Sequence, residues 1–427
     1  MRFALETFPP PPAHWRVLRN KEFLGQVDDR SPTGDEELLT VSHLTGVTSR
    51  AEKDVYMFMA ETLEGYKRCE PGDLVINTMW AWMGALGVSP LEGIVSPSYH
   101  VYRPRLAEVD ARFFDYFFRT PAYVAEITRH SRGVWTSRLR LYPDVFLDME
   151  SFVPPLKQQR AIADFLDEKT AAIDALIEKK ERLIALLAEK RAALIHQAVT
   201  KGLDPTVPMK PSGIPWIGDV PAHWDVKRVK HLGKLKGGAG FPDDEQGVEG
   251  EDIPFFKVKH LGTVGEGEAL VSSDDTVSAT TARRLRAHVF PKGAIVFAKV
   301  GAALLLRRFR LVGRGACIDN NMLGFKVDER VMEVSFLLPS LQLLPFDLLV
   351  NPGAVPSISG SQVGSFPVAA PPLSEQRGIA ARLGRELQTI DNVAGTVAEQ
   401  LKKLAEYRQA LITAAVTGQL EIPGAAA

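Results

Sequence analysis

Apolar residues return every seven positions along two long stretches of this chain. In the first, Leu166, Ile173, Leu187 and Leu194 share one heptad position, a, with Lys180 as its polar member. In the second, Leu383, Ile390, Val397, Leu404 and Leu411 occupy the same frame. The offset is 217 residues, a whole number of heptads. Such a repeat draws a seam along a helix and predicts pairing with another helix. Pro-Pro opens each stretch, a start signal. From Gln159 to Lys201 there is neither Pro nor Gly, and Ala, Leu, Glu, Lys and Arg dominate. A rod of that length measures about 65 Å, which outruns a globular domain of ~150 residues. Leu176 and Leu183 fall at d, with Ile177 and Ile184 beside the seam. Neither stretch has another long seam to meet, so the two are expected to pair. Two copies of one unit, related by a pseudo-twofold axis perpendicular to the rods, make the pair antiparallel. Gly395 interrupts the second stretch and weakens the expectation of continuity there.

The repeat extends beyond the rods. Pro154–Asp204 against Pro371–Glu421 gives 21 identities in 51 positions without a gap. "PAHWRV" (12–17) recurs as "PAHWDV" (221–226), and "VSHL" (41–44) as "VKHL" (258–261). "PGDLVI" (71–76) resembles "KGAIVF" (292–297). A period this long marks duplicated domains, not a solenoid. The order is globule, helix, globule, helix: residues 1–153, 154–204, 205–370 and 371–427.

The two globular segments read as short strands bounded by Gly, Pro and Asp. "LLTVSHL", "GDLVINTM", "SYHVYRP", "IPFFKVKHL", "GAIVFAKV" and "NMLGFKV" are the strands. "DARFFDYFFRT" and "MEVSFLLPSLQLL" give one short helix to each globule. The fold class is therefore α+β, with two mixed α/β globules separated by two long helices that form an antiparallel coiled coil.

Composition narrows the picture. Hydrophobic residues are 45% and charged residues 24% of 427, an ordinary globular balance. No apolar run reaches the ~18 residues of a membrane span, and "MRFALETFPPPPAHW" has no apolar leader core. Two cysteines build neither a disulfide framework nor a four-Cys zinc site, so a reducing cytoplasm is expected. Net charge is −1, so any nucleic-acid binding must come from local segregation. Residues 1–153 hold 17 Lys/Arg against 21 Asp/Glu, and residues 205–370 hold 19 against 17. Two tracts lack acids altogether. Arg129–Tyr142 carries Arg132, Arg138 and Arg140 around Trp135. Thr276–Ile318 carries Arg283, Arg284, Arg286, Lys292, Lys299, Arg307, Arg308, Arg310 and Arg314. Cations without counter-charges suit a phosphate backbone. The competing reading is a solvated face, or pairing with distant acids such as those of Asp243–Glu251. Lys259 joins the candidate DNA contacts.

No catalytic constellation emerges. Gly313-Arg314-Gly315 lacks the third glycine of a phosphate loop, and Asn351-Pro352-Gly353 is not a methyltransferase motif. Asp144, Asp148 and Glu150 lack the lysine that a metal-dependent nuclease wants. His14 and His223 read as turn residues, and Gly237–Gly240 as a plain turn with a lesser option of cradling phosphate through backbone N–H groups. A binding protein is expected, without catalytic residue, cofactor or metal of its own. A fused enzyme and a scaffold without sequence preference are the alternatives from other classes.

The residues then identify a relationship. "PPLKQQRAIADFLDEKTAAID", "PPLSEQRGIAARLGRELQTID", "MKPSGIPWIGDVPAHWDVKRVK" and "EPGDLVINTMWAWMGALGVSPLEGIVSPSYHVY" resemble the DNA-specificity subunit of type I restriction–modification enzymes, over nearly the whole chain. The resemblance implies two target-recognition domains, each reading half of a split double-stranded DNA site. It implies helices that act as spacer and dock two adenine-N6 methyltransferase subunits, with restriction (translocase) subunits joining that core. S-adenosylmethionine, ATP and Mg would belong to those partners. A related modification-only or fused restriction system is the alternative. The second helix departs from the pattern with "GRELQ" where the first has "DEKTA". Because the globules differ in sequence, the site should be asymmetric. Half-sites on one face of the duplex lie about 34 Å apart.

Overall fold

The computed structural model describes residues 5–53, 62–135, 139–242, 245, 252–265, 268–345 and 355–424. Asn351-Pro352-Gly353 lies outside them. The chain divides into two compact units, Met1–Arg182 with Val397–Ala427, and Leu183–Thr396. Each contains one globule and part of both long helices.

The long helices are α1, Leu156–Lys201, and α2, Leu373–Val416. Gly395 does not break α2. It stands open, with no atom near the place of a Cβ, and a single exposed Gly costs a helix only about 1 kcal/mol against Ala. In the first unit Asp174 meets Arg408 through two hydrogen bonds of 2.8 and 3.0 Å, and Lys180 meets Gln400 at 2.6 Å. One helix climbs in number as the other falls, so they run antiparallel. In the second unit the two helices also meet, with Arg191 Nε 3.2 Å from Asp391.

The seam is not the one drawn through a and d. Leu166, Ile173, Leu383, Ile390 and Val397 are buried, and Leu187, Leu194, Leu404 and Leu411 half-buried. Leu176 and Leu183, however, are 42% and 39% exposed. Their place inside is taken by residues four beyond each a position: Thr170 is buried, Ile177 and Ile184 half-buried. Steps of three and four from one a residue both return to the same helix side.

In the first unit, four antiparallel strands follow the order Leu24–Val27, Tyr99–Pro104, Leu74–Asn77, Leu86–Val88. Phe113, Phe114, Phe117 and Phe118 repeat at helical spacing in Ala111–Phe118 and are all buried. Asp110 caps that helix, accepting from Arg112 N. In the second unit, a five-stranded sheet runs Gly233–Gly237, Met322–Val327, Ile295–Ala298, Arg310–Val312, Ala269–Leu270, with the last pair parallel. The expected strands at 39–42, 74–77, 99–104, 253–256, 295–298 and 322–327 are present. "VKHL" is not strand but a 3-10 turn, Val258–Gly262, where His260 Nδ1 accepts from Lys257 N.

The repeat is visible inside each unit. Arg16–Arg19 pairs antiparallel with Glu150–Val153, and Asp225–Arg228 with Pro367–Ala370. Each ribbon thus closes the two ends of its globule beside the start of a long helix. At both helix starts a buried Gln holds the junction. Gln159 donates to the carbonyls of Pro154 and Glu108 and accepts from Asp110 N. Gln376 donates to Pro371 and Val331 and accepts from Glu333 N. Among the described residues no helix is long and apolar enough to cross a membrane.

Candidate nucleic-acid interface

In the first globule the helix Pro121–His130 ends at a hairpin whose neck is a reciprocal backbone pair. Arg132 N donates to Arg140 O and Arg140 N to Arg132 O, at 3.0 and 2.9 Å. This brings both arginines, exposed, to one place, with Trp135 at 68% exposure beyond them. Arg138 lies outside the described residues. Arg129 belongs to the fold, paired with Glu6 and with the fully buried Glu126. Beside the hairpin, Leu141 N donates to Thr78 O, which seats it against the loop that exposes Met79, Trp80 and Met83. Charge patterning missed that loop. Its signal was the run "MWAWM" after a strand, more apolar than a surface loop requires.

In the second globule the basic tract is not uniform. Arg283, Arg286 and Arg308 are exposed, and Arg307 and Lys299 half-buried. Arg284 pairs with Glu245, which realises the pairing with distant acids for that residue. Lys259 lies 3.3 Å from Asp275 and 3.8 Å from Asp274. Burial opposes ionisation of Asp275, but Lys257 and Lys259 outweigh it and hold its carboxyl below the usual range. Arg310 is the clear departure. It is 5% exposed, and its guanidinium donates to the carbonyls of Val264 and Phe309. A buried guanidinium so engaged supports the strand end and presents no charge to solvent. Arg286 and Arg307 both take left-handed backbone, φ 54° and 51°. Non-glycine residues seldom do so.

The remaining motifs resolve into structure. In "PAHW", His14 Nε2 is 3.1 Å and Trp15 Nε1 2.8 Å from Gln158 Oε1. In the second copy, His223 and Trp224 reach the two oxygens of Glu375 at 2.8 and 3.0 Å. Gly238 N and Ala239 N donate to Met322 O and Ile318 O, so these N–H groups are not offered to a phosphate. Asp148 is tied to Lys21 at 2.5 Å, which holds its carboxyl below the usual range. Cys69 and Cys317 are buried, and burial pushes both thiols up to about 11, away from nucleophilic use. No group of three or more His, Cys, Asp or Glu among the described residues is arranged to hold a metal.

No family model matches the chain. The putative type I restriction enzyme MjaX specificity subunit of Methanocaldococcus jannaschii is 23% identical over 275 residues, 63% of this chain and 59% of that protein. The type I restriction enzyme EcoKI specificity subunit of Escherichia coli K12 is 23% identical over 372 residues, 83% of this chain and 76% of that protein. The match thus spans less than two thirds of the first relative and about three quarters of the second. Among solved structures, a chain from a study of complex assembly and conformational transition of the type I R-M system superposes with a TM-score of 0.69. It is 20% identical and covers 96% of this chain and 100% of its own. The HsdS subunit from Thermoanaerobacter tengcongensis gives 0.53 at 17% identity, covering 96% and 98%. The likeness to these structures is one of fold.

Proposed function

We propose that this chain is the DNA-specificity subunit of a type I restriction–modification enzyme, reading a split, asymmetric site and performing no catalytic step itself. The carrying observation is the doubled junction: the same Trp and Gln contacts root a different globule at the start of each long helix. Residues 1–153 and 205–370 are the two target-recognition domains, and 154–204 and 371–427 the helical framework. Duplicated roots with unlike exposed faces suit two independent half-sites, each read in a major groove where all four base pairs differ.

Arg132, Arg140 and Trp135 in the first globule, and Arg283, Arg286, Arg307, Arg308 and Lys299 in the second, are the DNA contacts of this reading. The helices set the distance between half-sites and dock two methyltransferase subunits. Leu176, Leu183 and Leu186, exposed on α1, supply apolar surface for that docking. Restriction subunits complete the assembly in the cytoplasm, and S-adenosylmethionine, ATP and Mg act on the partners.

Mapping methylated adenines in the source genome with and without this gene tests the reading. A bipartite motif should vanish with the gene. Replacing residues 205–370 by a relative's segment should change one half of that motif and leave the other. Methylation by the purified chain alone, or a motif whose halves change together, would overturn it.

A further inference from the structure

In the first globule the loop 78–85 joins the antiparallel strands Leu74–Asn77 and Leu86–Val88 and is bonded along its whole length. Trp80 N donates to Asn77 O, Met83 N and Ala85 N donate to Trp80 O, and Gly84 N donates to Ala81 O. Asn77 Oδ1 accepts from Met79 N, and Thr78 Oγ1 donates to Ser98 O. Thr128 Oγ1, on the helix Pro121–His130, donates to Trp82 O at 3.0 Å and seats the loop on that helix. Gly84 closes the 3-10 turn Ala81–Met83 in left-handed backbone, φ 86°. Ala81 is fully buried, and Trp82 turns its indole N–H back to Met79 O at 3.0 Å. Met79, Trp80 and Met83 nevertheless stay exposed. Trp80 and Met83 stand three apart, which in 3-10 geometry stacks them on one side.

Large apolar side chains held open on an ordered loop mark a contact surface, and their surroundings say of what kind. Leu141 N donates to Thr78 O at 3.2 Å, so Met79 and Arg140 flank one backbone hydrogen bond. Arg140 is joined in turn to Arg132 across the hairpin neck. Among the described residues Arg129 takes the nearby acids, Glu6 and Glu126, and Arg132 and Arg140 have no acidic partner within 4 Å. An apolar tip beside unpaired guanidinium groups favours a polyanion with an apolar feature in reach over an apolar protein surface. In the major groove every base edge carries hydrogen-bonding groups, and thymine alone adds a methyl. Met79 and Met83 have no donor to spend on the polar groups, so the methyl is the feature they fit.

We infer that Met79, Trp80 and Met83 read thymine methyl groups in the half-site of the first target-recognition domain, which therefore contains A·T pairs. The inference rests on the DNA-specificity reading and adds to its cations the residues that select a base type. Its test is the full chain, assembled with its methyltransferase subunits and titrated against duplexes carrying the methylated motif. In one duplex deoxyuridine replaces the thymines of a single half-site, which removes the methyl and keeps every hydrogen-bonding group. The half-site of the first domain is the one left intact by exchange of residues 205–370. Replacement there should weaken wild-type binding roughly fourfold for each methyl contacted. Trp80→Ala/Met83→Ala should bind the thymine and deoxyuridine duplexes alike and keep the wild-type salt slope, since no cation is lost. Met83→Leu should retain the preference for thymine. A half-site without A·T pairs, a wild-type assembly indifferent to deoxyuridine there, or an undiminished thymine preference in the double variant would overturn the inference. So would a double variant that unfolds at the wild-type temperature but no longer binds the methyltransferase subunits, because the loop would then face protein. A rise in 2-aminopurine fluorescence at the half-site on binding, lost in Trp80→Ala, would replace methyl reading by insertion between bases. Failure of the wild-type assembly to prefer its motif would remove the underlying reading instead.

Discussion

Gln159 accepts a hydrogen bond from the backbone N–H of Asp110 at 2.8 Å, linking the first turn of α1 to the cap of the phenylalanine-rich helix 49 positions earlier. The same amide donates to Glu108 O and Pro154 O. Gln376 repeats the pattern on Glu333 N, Val331 O and Pro371 O. Standing 217 residues apart, these two side chains turn a sequence identity into a physical joint.

Removing that joint should unfold one unit before the other. Gln159→Ala leaves a buried N–H and two carbonyls short of a partner, at about 1–3 kcal/mol for each group left unpaired. Gln159→Glu should be worse, because a carboxylate oxygen would face the two carbonyls. Hydrogen exchange should speed up in residues 108–118 and stay unchanged in 331–337. Gln376→Ala should give the mirror result. Equal loss of protection in both segments would mean that the joints are not local.

The two classes of arginine should separate in binding experiments. Arg283→Ala/Arg286→Ala/Arg308→Ala removes three exposed cations and should flatten the salt dependence of DNA binding with little change in unfolding temperature. Arg310→Ala strips donors from two carbonyls and should cost about 1–3 kcal/mol of stability. The salt slope of its folded fraction should stay as in wild type. A flattened slope in Arg310→Ala would place that guanidinium on DNA after all.

That contrast also marks how far the sequence could be read. The helices and the six strands follow from periodicity and turn residues, which are local signals, and the antiparallel sense from the duplication. Heptad position a was legible because it survives in both copies. The inner flank was not, since Leu176 and Ile177 are equally apolar and only packing decides between them. Charge reading could not separate Arg310, whose guanidinium is spent on buried carbonyls, from its exposed neighbours, because a tract without acids in sequence says nothing of carbonyls; for Arg284 it left pairing with Asp243–Glu251 open, and Glu245 supplies it.

Acid should loosen the first unit through His100. Burial, with Lys67 nearby, lowers its pKa from 6.5 to about 4, and its ring faces Gln26 at 3.3 Å. The folded state therefore resists a proton that the unfolded chain accepts. Its stabilising contribution is complete above about 6.5 and is lost as pH falls toward about 4. His100→Gln should narrow the drop in unfolding temperature between pH 7 and pH 5. An identical drop in both proteins would assign the acid sensitivity to other groups.

The spacing of half-sites should follow the helices, and the register of the ion pairs says how to test it. Deleting Glu178–Ile184 keeps the heptad phase of α1 and shortens it by about 10 Å. Alone, that deletion cannot keep Asp174 opposite Arg408 and Arg191 opposite Asp391, because α2 retains its length. The singly shortened chain should therefore unfold at a lower temperature than wild type. Removing Ala398–Leu404 as well takes one heptad from the antiparallel partner and should restore the match of both pairs. The doubly shortened chain should recover most of the lost stability. It should methylate the same two half-sites at a shorter spacing and fail at the native one. Wild-type methylation of the native site by that chain would mean that the partner methyltransferases, and not these helices, fix the distance.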